Sequence, residues 1–327
     1  MTLLSPAIFT KLSILLLLPI VFAQDGEFQP KPGYFPATGD DINAGGIFCI
    51  SLRDYGKYTK DHPAGVTGSE SPKAPGAVTS GSGPYPAVMI SDPSLPNHTI
   101  YAPKTPPGDL SMPFISWGNG GCGIDGAGYR NFLTEIASWG YVIAANGAIG
   151  GSDGSRQSKV QDRRDGIDWA MKGGAKKYGN VDTTRIVSMG YSCGGLESMS
   201  VAYHDDRVKM LMLFNIGIFM DEKRYLLQEI KVPVAWFVGG PKDMGYLNSQ
   251  KDYALLPKTL PAYLANLDTG HCGTFAATNG GKEGKAAVAY LNWQYRNNAT
   301  SKAILLDPKA HGSLVADQWN VTYKNWA

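Results

Sequence analysis

A serine hydroxyl attacks a carbonyl only where a base takes its proton and a third group fixes the tautomer of that base. The stretch Gly190-Tyr191-Ser192-Cys193-Gly194 offers such a serine in the pattern G-x-S-x-G. Residues 185–189 before it are a short, largely apolar run that predicts a buried strand, and residues 195–203 after it predict a small-residue helix. Strand, tight turn and helix form the setting of a nucleophile elbow. The turn strains the serine backbone and lifts its hydroxyl clear of the sheet, and flanking glycines remove the Cβ atoms that would collide there. The pattern alone is weak, since about 0.3 chance matches are expected in a chain this rich in glycine. A second match does occur, Gly150-Gly151-Ser152-Asp153-Gly154. There Asp153 would set a carboxylate beside the developing oxyanion, and the neighbouring residues are polar and loop-like. Ser192 is therefore read as the nucleophile and Ser152 as loop.

Five histidines compete for the role of base. His62 lies in a polar arm, His98 in a sequon, His204 in polar sequence after the elbow helix, and His311 in the tail. His271 follows the apolar run 262–267 through the turn Asp268-Thr269-Gly270. That is a loop at the carboxyl end of a strand, downstream of the serine, as the chain order Ser, acid, His requires. Its ring must be neutral to accept the serine proton, so activity is expected to fall as the solution becomes acidic. For the acid, residues 232–238 predict a strand and Gly239-Gly240-Pro241-Lys242-Asp243 the loop that leaves it, which selects Asp243. Asp221, Glu222 and Glu229 read as a solvated helix, Asp252 as part of a later helix, and Asp268 as a turn cap. An oxyanion hole needs two backbone N–H donors. Cys193, next after the nucleophile, supplies one; the glycine-rich loop 118–123 after the strand 113–117 supplies the other, from Asn119 or, next to it, Gly120.

These residues need a sheet that gathers strand ends at one edge. Strands are expected at 98–102, 113–117, 141–145, 208–214, 234–238 and 262–267, besides the elbow strand, and helices at 129–139, 158–172 and 286–295. In the second helix Val160, Ile167, Ala170 and Met171 are expected to form the apolar face. The alternation predicts an α/β protein with a mostly parallel sheet covered by helices on both faces, its functional groups on loops beyond the carboxyl ends of the strands. Ahead of this domain, placed at 86–327, residues 24–85 read as a Pro/Gly/Ser-rich N-terminal arm with one strand-like segment at 46–52. Residues 1–23 have the basic, apolar and small-residue regions of a secretory signal peptide, and their apolar run is too short to span a bilayer. A secreted protein is expected, and the sequons at Asn97, Asn298 and Asn320 are then surface positions open to glycosylation. The formal charge of +2 on 327 residues offers no strong field for nucleic acid or an anionic membrane. The histidines show no metal-ligand spacing. No metal and no cofactor is expected.

The segments Trp117-Gly118-Asn119-Gly120-Gly121-Cys122-Gly123, Gly190 to Gly195, Gly239 to Asp243 and Leu267 to Phe275, in this order and spacing, resemble a family of secreted α/β-hydrolase proteins of fungi and bacteria. That family is similar to the dienelactone-hydrolase-like and cutinase- or polyester-hydrolase-like serine esterases. The resemblance covers roughly residues 84–327. It implies the α/β-hydrolase fold, Ser192 as nucleophile, Asp243 as acid, His271 as base and no metal. Cys272 departs from it, an apolar residue or glycine being expected beside the histidine. The expected activity is that of a serine esterase acting on a small-molecule or polymeric ester, and a monomer is favoured. A catalytically silent binding or wall-associated protein and a serine peptidase are the competing readings. Trp117, Phe219, Tyr246 and Phe275 are candidates for the cleft wall, against a plain role in the core.

Four cysteines in a secreted chain allow three pairings into two bridges. Cys122 in the oxyanion loop and Cys193 after the nucleophile converge on one oxyanion, which favours a Cys122–Cys193 disulfide with Cys49 paired to Cys272. The rival pairs Cys193 with Cys272 and Cys49 with Cys122; unpaired thiols are the third alternative.

Overall fold

Short runs such as Met112–Gly118 and Val234–Val238 are almost wholly apolar and buried at every position, as strands covered on both faces must be. The computed structural model describes residues 45–50, 52–61, 74–151, 156–203 and 205–326. The signal segment 1–23, the first part of the arm, and Ser152, His62 and His204 lie outside the described residues. Among the described residues nine strands form one sheet: β1 Ala87–Ser91, β2 His98–Pro103, β3 Met112–Gly118, β4 Val142–Asn146, β5 Val181–Tyr191, β6 Val208–Phe214, β7 Val234–Val238, β8 Ala262–Asn266 and β9 Asn320–Lys324. Their spatial order is β1-β2-β4-β3-β5-β6-β7-β8-β9. The pairings among β4, β3, β5, β6, β7 and β8 are parallel, while β1–β2, β2–β4 and β8–β9 are antiparallel. The protein is thus α/β with a mostly parallel sheet. The consequence for function is direct: β3 to β8 all end at the same edge.

Seven α-helices cover the sheet among the described residues: α1 Leu52–Asp61, α2 Arg130–Ala137, α3 Val160–Met171, α4 Cys193–Ala202, α5 Tyr246–Leu255, α6 Gly281–Arg296 and α7 Ala299–Leu306. Side chains alternate between the faces of a strand. Leu211 and Leu213 of β6 join a core layer with Val160 and Ile167 of α3 and Leu196 and Met199 of α4. Met210, Met212 and Phe214 join the opposite layer, with Phe132 and Ile136 of α2 and Ala287 and Leu291 of α6. No helix among the described residues is long and apolar enough to cross a membrane.

Two local expectations are corrected. The segment 46–52 is not a strand: Gly46–Phe48 forms a 3₁₀ turn and α1 starts at Leu52. Gly45 and Gly46 have φ of 82° and 61°, outside the β region, and the turn sends Ile47 and Phe48 into the core, Phe48 meeting the Tyr203 ring edge-on at 6.0 Å. On α3, Met171 is 48% exposed, whereas Arg163 and Arg164 are buried beside Val160, Ile167 and Ala170. The inward face of this helix carries two guanidinium groups.

Candidate active site

The edge at which β3 to β8 end collects the residues selected from the sequence. Ser192 lies between the last residue of β5 and the first of α4, with φ 53° and ψ −124°. A β-carbon-bearing residue held there costs of order 1–3 kcal/mol. The turn is over-determined by its hydrogen bonds: Ser192 N–H donates to Phe214 O at 2.9 Å, and Gly195 N–H returns to Ser192 O at 2.8 Å. A glycine is required at 194 by close approach. A Cβ there would stand 2.2 Å from the Gly118 carbonyl carbon and oxygen, so any side chain would push the elbow off the loop that follows β3.

His271 Nε2 is 3.0 Å from Ser192 Oγ, and His271 Nδ1 is 2.6 Å from Asp243 Oδ1. Asp243 and His271 are buried, and Ser192 is half-buried. The two loops that carry the acid and the histidine are fixed to one another. Asp243 Oδ1 also accepts from Gly245 N–H and its Oδ2 from Gly239 N–H, both at 2.9 Å. Gly270 N–H donates to Gly239 O at 2.8 Å. Asn215, at the end of β6 with φ 53°, donates from Nδ2 to Gly270 O at 3.0 Å. Tyr191 Oη donates to His271 O at 2.8 Å, and its ring lies 5.2 Å from the imidazole. Buried acceptors of this kind hold Nδ1–H in place, leaving the Nε2 lone pair for the serine proton.

The other carboxylates are accounted for elsewhere. Asp268 is 57% exposed and lies 3.8 Å from Lys242 Nζ. Asp252 is enclosed with Arg224, whose Nε donates to it at 2.8 Å, and accepts Ile218 N–H at 2.7 Å. Asp221 is exposed at the outer end of the same cluster. Among the remaining described histidines, His98 is buried with Nε2 2.6 Å from Asp162 O, and His311 is exposed.

The loop 118–123 lies against the elbow. Gly194 N–H donates to Asn119 O at 3.0 Å. The Asn119 amide knits the loop from within: its Nδ2 donates to Gly123 O, Asp125 O and Asn146 O at 2.8–3.1 Å, and its Oδ1 accepts Trp117 Nε1 at 2.9 Å. Cys122 and Cys193 are joined in a disulfide with Cα atoms 5.1 Å apart. Cys49 and Cys272 are not joined to each other by a disulfide; Cys49 sits just after the 3₁₀ turn 46–48, whose Ile47 and Phe48 are in the core. Cys193 is the first residue of α4, so its N–H is at the positive end of the helix, where negative charge is favoured.

A cavity of 280 Å³ adjoins this edge, lined by Tyr129, Tyr191, Cys272, Gly273 and Phe275 among others. Tyr129 Oη lies against the Gly120 backbone, where a Cβ would come within 2.5 Å of it. Phe275 therefore serves both the cavity wall and the core. Trp117 is wholly core, and Phe219 packs edge-on against Tyr55 and Tyr58 of the N-terminal segment.

Beneath the elbow lie two groups that carried no motif. Glu197, one turn into α4, is fully enclosed. Burial, opposed by the charge of Arg163, pushes its carboxyl up to about 7. Arg163 is itself enclosed, and burial lowers its guanidinium to about 10, which leaves it charged at neutral pH. For Arg163 a sequence signal was available, since positions 160, 163, 164, 167 and 170 repeat at the three- and four-residue spacing of one helix face; Glu197 lies on α4, outside that pattern. The sequence matches no family model and no curated protein.

Proposed function

We propose that the protein is a serine hydrolase of the α/β-hydrolase fold, acting on carboxylic esters. The observation that carries this reading is the Ser192–His271–Asp243 hydrogen-bonded chain placed at a strained strand-to-helix turn. The strand order and the antiparallel placement of β2 beside β4 support the fold assignment. In the reaction, His271 Nε2 takes the proton of Ser192 Oγ as that oxygen bonds to the ester carbon. Asp243 stabilises the resulting imidazolium without taking its proton. The carbonyl oxygen becomes an oxyanion facing the N–H of Cys193 and a second N–H from Asn119 or Gly120. Collapse of the tetrahedral adduct expels the alcohol, which receives the proton from His271 and leaves an acyl group on Ser192. Water, deprotonated by His271, then releases the acid by the reverse sequence.

The Cys122–Cys193 bond beside the nucleophile supports an oxidising compartment and hence secretion. The test is hydrolysis of a panel of nitrophenyl esters of increasing acyl length, acetylated polysaccharides and polyesters, with peptide amides alongside. Turnover of esters that is lost in Ser192→Ala is the expected result. Amide turnover in preference to ester would make the protein a peptidase, and no turnover of any would make it a silent member of the fold.

A further inference from the structure

Arg163 is 0% exposed, and taking a guanidinium out of water costs several kcal/mol unless its donors are met. Here they are met by three different elements. Nε donates to Ser116 Oγ of β3 at 2.8 Å, and one Nη2 hydrogen bond goes to Ser116 O. Nη2 also donates to Met189 O of β5 at 3.0 Å. Nη1 donates to Ser198 Oγ of α4 at 3.0 Å and to Gly194 O at 3.3 Å. Met189 and Gly194 bracket the nucleophile turn, and Ser116 stands two residues before the root of the oxyanion loop. At that root, a Cβ on Gly118 would lie 2.3 Å from Arg163 Nη1. The same Gly194 whose carbonyl is held by Arg163 gives its N–H to Asn119 O. The planar fork thus touches both sides of the oxyanion hole from below.

We propose that Arg163 is a positioning residue that locks the nucleophile elbow to the root of the oxyanion loop and so sets kcat rather than substrate affinity. The proposal rests on the serine-hydrolase reading for its kinetic part. An aliphatic side chain would fill the same space without the cost of burying a charge, but it would not fix three carbonyls and two hydroxyls in one plane. A lysine places its donors at one point and does not reproduce the fork. A displacement of about 1 Å at such a site is worth on the order of 10²-fold in rate.

The experiment compares wild type, Arg163→Lys and Ser198→Ala. It measures kcat and KM on a nitrophenyl ester, with active sites counted by fluorophosphonate, and hydrogen–deuterium exchange of peptides covering 118–123 and 189–196. For Arg163→Lys the expected result is kcat per active site lower by about 10–100-fold, KM within about twofold, and faster exchange in both segments. Ser198→Ala removes one acceptor of Nη1 and only a hydroxyl, so it keeps the test alive if the lysine variant does not fold. It is expected to lower kcat by about threefold and to speed exchange in 189–196. Unchanged kcat per active site, a loss confined to KM, or unchanged exchange in both segments overturns the proposal. A wild type that neither turns over ester nor takes the label on Ser192 refutes the hydrolase reading instead, and the exchange data then decide separately whether Arg163 holds the two segments.

Discussion

Replacing Asp243 with asparagine exchanges one carboxylate oxygen for an NH₂ and leaves the shape of the site intact. In the wild type all three groups facing the carboxylate are donors: His271 Nδ1–H and Gly245 N–H at Oδ1, and Gly239 N–H at Oδ2. The amide therefore meets a donor with its NH₂ in either orientation. With its oxygen at the Oδ1 position, NH₂ opposes Gly239 N–H. Turned over, NH₂ opposes Gly245 N–H but gains a bond to His271 Nδ1 if that nitrogen gives up its proton. The second arrangement is the better one, and it places the imidazole proton on Nε2, facing Ser192 Oγ, where it blocks proton transfer from the serine. Loss of the correct tautomer is worth up to about 10⁴ in kcat, or about 5 kcal/mol of barrier. The unsatisfied buried N–H costs about 1–3 kcal/mol of stability. The assay is kcat at saturating nitrophenyl ester per active site, with a thermal melt to confirm folding. An asparagine variant that folds and turns over within about tenfold of wild type refutes the reasoning and moves the acid elsewhere, with Asp268 next to be replaced.

The carboxyl of Glu197, pushed up to about 7 from an ordinary 4.5 by burial, keeps its proton in the folded protein at pH values where the unfolded chain has lost it. Stability must then fall as pH rises from about 4.5 to about 7, by about 3 kcal/mol from this group. Asp252, raised to about 7 by burial in spite of Arg224, acts in the same direction. Glu197→Gln should remove its own share, and melting curves of variant and wild type that stay parallel across this pH range would count against the assignment. The Cys122–Cys193 bond closes a loop with a sequence separation of 71, which in the chain-entropy account is worth about 4 kcal/mol. Changing both cysteines to serine should lower Tm and, through a displaced oxyanion donor, lower kcat by up to about 10²–10³. Non-reducing peptide mapping should yield the Cys122–Cys193 peptide; a Cys193–Cys272 peptide would reverse this pairing.

The candidate site was legible because each of its members follows a strand and is announced locally. Ser192 has glycines on both sides, Asp243 follows the apolar run of β7 through Gly239 and Gly240, and His271 follows β8 through a three-residue turn. The parallel strands were legible for the same reason, each carrying a mostly apolar run bounded by turn residues. The antiparallel edges were not. β9 is mostly exposed, so it lacks an apolar signature and owes its existence to pairing with β8 far earlier in the chain. The segment 46–52 carried the opposite error, its apolar residues describing burial and not conformation, which the left-handed backbone at Gly45 and Gly46 decided. Arg163 and Glu197 were missed because charged residues on a helix ordinarily mark its solvated side. The burial of Arg163 depends on acceptors brought from β3, β5 and α4, and that of Glu197 on donors at Ser158 and Asn146, partners that no local pattern records.

On the proposed function, Ser192 and no other residue is the activated nucleophile. Treatment of the intact protein with a fluorophosphonate, followed by digestion and mass spectrometry, tests it directly. One stoichiometric adduct is expected on the peptide containing Ser192, absent in Ser192→Ala and strongly slowed in His271→Ala. An adduct on Ser152, or ester turnover at the wild-type level in Ser192→Ala, would contradict it.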